Sequence, residues 1–162
     1  MWQLANTAAL ALALFVTPTS VAGLLRAGVN DRSSCHVYVT EAGDHSMKLS
    51  DGQAWTGLNT GVMITSSYAG EWTPDVHQHN ITAADIDSVV GAGVHVISIG
   101  RGVVGDGVAK LHSSAKARLA ELRQSNVDVF VGNTYEARDY FNAACEKEGS
   151  HRVAALFHTG CF

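Results

Sequence analysis

The segment that most constrains this chain is Gly93-Val94-His95-Val96-Ile97-Ser98-Ile99-Gly100-Arg101-Gly102. Its alternate positions are Val94, Val96 and Ser98 on one side and His95, Ile97 and Ile99 on the other, so one face is apolar and the other nearly so. Burial on both faces is what a central strand covered by helices requires, because a one-sided sheet would alternate apolar with polar residues. The surrounding text supplies those helices. Thr82-Ala83-Ala84-Asp85 fits a capping box, Ile86, Val89 and Val90 follow at helical spacing, and Gly91-Ala92-Gly93 stops the run.

Downstream the same alternation repeats. Ser113 to Gln124 carries Ala115, Leu119 and Leu122 on one face with Lys116, Arg118, Glu121 and Arg123 outward, and Ser125-Asn126 is placed to cap its end. Val127–Val131 reads as a strand. Asn133 or Thr134 then caps a third helix whose apolar contacts are Tyr140, Phe141 and Ala144, and Gly149 ends it. Arg152–Phe157 is the last strand. Successive strand–helix–strand units predict right-handed crossovers and strands that are largely parallel. His95, on a central strand, is expected to be a hydrogen-bonded core or edge histidine.

Before residue 80 the pattern is different. Met47-Lys48-Leu49 runs into Ser50-Asp51-Gly52, a hairpin signal. Gly61–Thr65 is a strand ended by Ser66-Ser67, and Tyr68–Trp72 is another, stopped by Pro74. Together these predict a small antiparallel element of three short strands. His77 and His79 would share a face of a strand, as metal ligands do, but lack a third ligand nearby, so no metal is expected.

Residues 1–45 are set aside as an N-terminal extension, leaving 46–162 as the domain. Ala8–Val16 is too short to span a bilayer, so no stable membrane span is expected. It has the length of a signal-peptide core, and Ser20-Val21-Ala22 resembles a cleavage site, yet no Lys or Arg precedes it. A mitochondrial presequence using Arg26 and Arg32, or an added helix that packs on the domain or is disordered, are the other readings. Within the extension, only His36–Thr40 looks strand-like.

Composition excludes more than it assigns. A net charge of -4 with eleven scattered Lys and Arg offers no basic stripe, so nucleic acid is not an expected partner. The three cysteines, Cys35, Cys145 and Cys161, have no C-x-x-C spacing. One bridge stays open, but three reduced thiols in an intracellular compartment is the simpler expectation.

Gly100-Arg101-Gly102-Val103-Val104-Gly105 contains the letters of a dinucleotide fingerprint, but the next helix begins near Ser113, too late to aim its amides at a pyrophosphate. No cofactor is expected. Arg101 instead stands at the C-terminal end of a central strand, where open α/β sheets place ligands, with glycines that let the backbone approach an anion. Thr134, at a helix N-terminus, and Asn142 are further polar contributors to this candidate anion or metabolite site. The competing reading is a tight turn in which Arg101 pairs with a carboxylate.

No catalytic residue emerges. Ser98 and Ser114 lack a nucleophile elbow, His158 and Cys161 lie at the tail, and Asp85 and Asp87 point to different helical faces.

Together these stretches resemble the adipogenesis-associated Mth-like domain family, which includes bacterial and archaeal relatives and a mitochondrial complex I assembly factor. The resemblance covers roughly residues 46–162. It begins at Met47-Lys48-Leu49 and is carried by Ile81–Ile86 and by Gly93–Gly102 with its Gly-Arg-Gly ending. Further along it rests on the Ser113-Ser114 helix start, Val127–Val131, and Thr134, Ala137 and Phe141-Asn142. Arg152–Thr159 with Cys161 completes it. The extension and the insertion Val104–Gly107 depart from the family pattern.

The resemblance implies a three-layer α/β fold with helices on both faces of a sheet that is mixed rather than parallel, plus a small extra β element. It also implies a non-enzymatic interaction, assembly or regulatory protein with a protein partner, in the cytoplasm. Homo-oligomerisation is left open. The alternatives are the anion or metabolite binder at Gly100-Arg101-Gly102 and a mitochondrial complex I assembly factor.

Overall fold

The structure, a computed structural model, describes residues 35–57, 61–72, 80–103 and 108–160. The leading segment through residue 34, the His77/His79 pair, Val104–Gly107 and Cys161 lie outside the described residues.

In chain order the elements are β1 (Val39–Gly43), β2 (Ser46–Leu49), β3 (Ala54–Thr56), β4 (Gly61–Ile64), β5 (Ala69–Trp72) and β6 (Asn80–Ile81). Then come α1 (Ala83–Val89), β7 (Val96–Gly100), β8 (Lys110–Leu111), α2 (Ser113–Gln124), β9 (Asp128–Gly132), α3 (Thr134–Glu148) and β10 (Val153–His158). The main sheet has the order β5-β4-β10-β7-β9. β10 and β9 run parallel to β7, whereas β4 runs antiparallel to both β10 and β5. The sheet is therefore mixed. The helical crossovers account for its parallel part, and of the two strands that the first half of the chain adds, β4 runs in the opposite sense while β5, antiparallel to β4, runs with the parallel set.

That second fact corrects the reading of three strands in a separate element. β2 and β3 do form a hairpin around Ser50–Gly52, and β1 joins them in a three-stranded antiparallel sheet. β4 and β5, however, belong to the main sheet. The physical reason lies in their burial. Val62 and Ile64 are almost wholly buried on the α3 side, an environment that a small isolated hairpin does not provide.

Each central strand alternates between two cores. Val153, Ala155 and Phe157 of β10 and Val96 of β7 pack with Ala137 and Phe141 of α3. Ala154 and Leu156 of β10 and Ile97 and Ile99 of β7 pack with Ile86 and Val89 of α1 and Ala115, Leu119 and Leu122 of α2. Side chains leave a strand on opposite faces in turn, so this division places α3 on one face and α1 with α2 on the other. Ser98, the polar member of β7, is fully buried and donates to the Ala137 carbonyl at 2.7 Å. The small sheet covers the α3 side, to which it contributes Val39, Met47 and Leu49.

The helix ends follow the sequence. Thr82 caps α1 in a complete capping box with Asp85, whose other oxygen accepts from Trp72 Nε1 at 2.9 Å. Asn133 caps α3 through a second box with Glu136. After α2, Ser125 is the C-cap and Asn126 takes a left-handed conformation, which asparagine tolerates.

Two further expectations are overturned here. The domain does not begin at residue 46, because Cys35, Val37 and Val39 are core residues and β1 is paired with β2 across that boundary. Cys35 and Cys145 are not reduced thiols but a disulfide, with Cα atoms 5.1 Å apart. Their separation of 110 residues conceals the pairing in the sequence, and the packing of the 35–39 segment on α3 brings them together.

Candidate functional site

The parallel strands β7, β9 and β10 end level with one another, since Gly100 is paired with both Gly132 and Phe157. The sequence-derived residues Gly100, Arg101, Gly102 and Thr134 meet at this edge. Gly102 N–H donates to the Thr134 hydroxyl at 2.9 Å, which in turn donates to the His158 carbonyl at 2.5 Å. Thr134 N–H donates to the Gly102 carbonyl, and Arg101 N–H to that of Gly132, both at 3.0 Å. Thr134 is fully buried. Its hydroxyl is therefore committed to holding three strand ends together and does not face a ligand.

The glycines have the same structural cause. A Cβ on Gly100 would lie 3.0 Å from both Phe157 Cδ1 and the Thr134 Cα, and Gly102 has a φ of 116°. Asn142 is not part of this edge. Its amide spans the Val39 backbone, accepting from N–H at 3.1 Å and donating to C=O at 2.9 Å, beside the disulfide. The five predicted residues thus separate into a saturated turn and a strand clamp.

Arg101 is the exception to this saturation. Its Nε is buried with no hydrogen-bond partner, and no carboxylate among the described residues pairs with it. Among the described residues, the competing carboxylate-paired turn is present in its backbone hydrogen bonds and without the ion pair.

At the opposite end of the sheet lies a cleft of about 450 Å³ that sequence reasoning missed. Its walls come from the start of β7 (His95, Val96), the loop after α2 (Asn126), the start of β9 (Asp128) and the last turns of α3 (Tyr140, Ala144, Lys147). Tyr140 stacks on Phe130 with centroids 4.7 Å apart and donates its hydroxyl to Asp128 Oδ2 at 2.5 Å. Burial, reinforced by that hydrogen bond and by the carboxylate charge, pushes the phenol up to about 12. Tyr140 is accordingly a fixed donor at neutral pH. Nothing local marks this set in the sequence, since its members come from three separate segments and lack a motif spacing. Among the described residues, no three His, Cys, Asp or Glu side chains group to hold a metal.

No family model and no curated protein matches the chain. Solved structures do. A conserved hypothetical protein from Pyrococcus horikoshii aligns with a TM-score of 0.58 at 17% identity, covering 76% of this chain and 98% of that one. A protein described as an outer membrane protein from Bartonella henselae aligns at 0.54 and 18% identity, covering 78% and 98%. One from Bordetella parapertussis aligns at 0.54 and 17%, covering 76% and 95%. At these identities the likeness is one of fold.

Proposed function

We propose that this chain is a non-enzymatic interaction protein of the Mth-like class whose docking point for an acidic partner is the Arg101 turn. One observation carries the reading: a guanidinium nitrogen is buried without an acceptor in a turn whose backbone is otherwise satisfied. A buried donor left unpaired costs free energy, and an incoming carboxylate would remove that cost with a charge-assisted hydrogen bond. A small inorganic anion such as sulfate is the second reading, and it rests on the same nitrogen.

A photo-crosslinker at Val103 in the full chain, expressed in its own cells, separates these readings. A discrete protein adduct that disappears in Arg101→Ala is the expected result. An adduct indifferent to Arg101 overturns the docking role. A sulfate-dependent rise in melting temperature that Arg101→Ala abolishes, with no adduct, moves the anion reading to first place.

The expected cytoplasmic location gives way, in this proposal, to an oxidising compartment. Cytosolic thiol pools keep such pairs reduced, and the Cys35–Cys145 bridge joins two nearly buried sulfurs. Among the described residues no helix is long and apolar enough to cross a membrane. Alkylation in acid-quenched cells is expected to leave Cys35 and Cys145 unlabelled until reductant is added; labelling without reductant would sink this location.

A further inference from the structure

We propose that the cleft between the start of β7, the start of β9 and the end of α3 binds a small organic cation through its ammonium group, with Asp128 as the anchoring carboxylate. Its volume of about 450 Å³ lies within the range of small-molecule sites, which are typically roughly 300–1,000 Å³ with a few convergent polar groups. Three polar side chains converge there with hydrogen-bonding capacity to spare among the described residues. Asp128 uses Oδ2 for Tyr140, and its Oδ1 has no partner among the described residues. The side chains of His95 and Asn126 likewise make no hydrogen bond there. At the Arg101 edge, by contrast, the Thr134 hydroxyl and the turn amides are consumed internally.

The ion pairs bear on the ligand's sign. Lys147 and Arg152 both turn to Glu148, at 3.4 Å and 3.9 Å, and no basic side chain among the described residues pairs with Asp128. An anion would meet that carboxylate, whereas an ammonium group finds Oδ1 together with acceptor atoms of Asn126 and His95. Val96, Ala144 and the Tyr140 ring offer the carbon skeleton an apolar wall. The anchor is also held in place. Tyr140 is stacked on Phe130 and hydrogen-bonded to Asp128, so little side-chain freedom is lost when the ligand arrives.

The test uses the full oxidised chain, with 1,4-diaminobutane as probe and glutarate as a dianion of similar length. Amide NMR signals of residues 95–96, 126–128 and 143–148 are expected to shift saturably with the diamine and not with glutarate. Asp128→Asn is expected to weaken binding at least about tenfold, the loss of one charge-assisted contact. Ala143→Phe, at an exposed position on the rim, should block the site while leaving the fold and Asp128 intact. Arg101→Ala should bind the diamine as wild type does, so the docking role and this site fail independently. Absence of a saturable response, equal binding of glutarate, or unaltered binding in both cleft variants would overturn the proposal.

Discussion

Tyr140 illustrates how one residue acquires a property that its neighbours in sequence do not foretell. The helical spacing marks it as an apolar contact of α3, and its ring does stack on Phe130 at the margin of the core. Its hydroxyl, however, meets Asp128 from a different element, and burial with that partner raises the phenol to about 12. The consequence for stability has a definite sign. An unfolded tyrosine loses its proton near pH 10, so between about 10 and 12 the native state binds more protons than the unfolded one. Stability from this group is full below about pH 10 and falls as pH rises towards 12. Phenolate absorbance followed against pH should show one late-titrating tyrosine. That component should vanish in Tyr140→Phe, together with its share of the alkaline loss of stability. Asn142 belongs to the same scale: the sequence singled it out as polar, but its two hydrogen bonds to Val39 make it a clamp.

At the scale of elements, legibility tracks the range of the interactions that form each one. The α1 capping box, the Asn133 cap of α3, the α2 span Ser113–Gln124 and the hairpin turn at Ser50–Gly52 depend on residues within a few positions, and each forms where the residue pattern places it. β7 was readable for a related reason. Its double-sided apolar text permits only a central position, and all five residues are buried. β4 and β5 were readable as strands but not as members of the main sheet, because Gly61-Val62-Met63-Ile64 carries no signal for its pairing with β10. β9 was readable as a strand too, yet its position as the edge strand that opens one wall of the cleft depends on where the neighbouring crossovers stop.

For the molecule as a whole, the chief long-range constraint is the Cys35–Cys145 bridge. It joins the segment before β1 to the C-terminal half of α3 across 110 residues. In the chain-entropy view, closing so long a loop restricts the unfolded state and is worth about 4 to 5 kcal/mol. Reduction, or the Cys35→Ser and Cys145→Ser pair, should lower the denaturant midpoint of the full chain accordingly. A midpoint unchanged by reductant would mean that packing of Val37 and Val39 on α3 suffices without the bond.

By itself the sequence determined the features whose energetics are local or periodic: where helices start and stop, which strand is buried on both faces, and the Gly-Arg-Gly turn at its end. Only the tertiary structure decided the place of β4 and β5 in the main sheet, the pairing of the cysteines, the separation of Asn142 from Thr134, and the cleft around Asp128. The physical reason is common to all four. Each joins side chains or strands from distant parts of the chain, and such contacts follow from the way the buried faces pack, which short-range spacing does not encode.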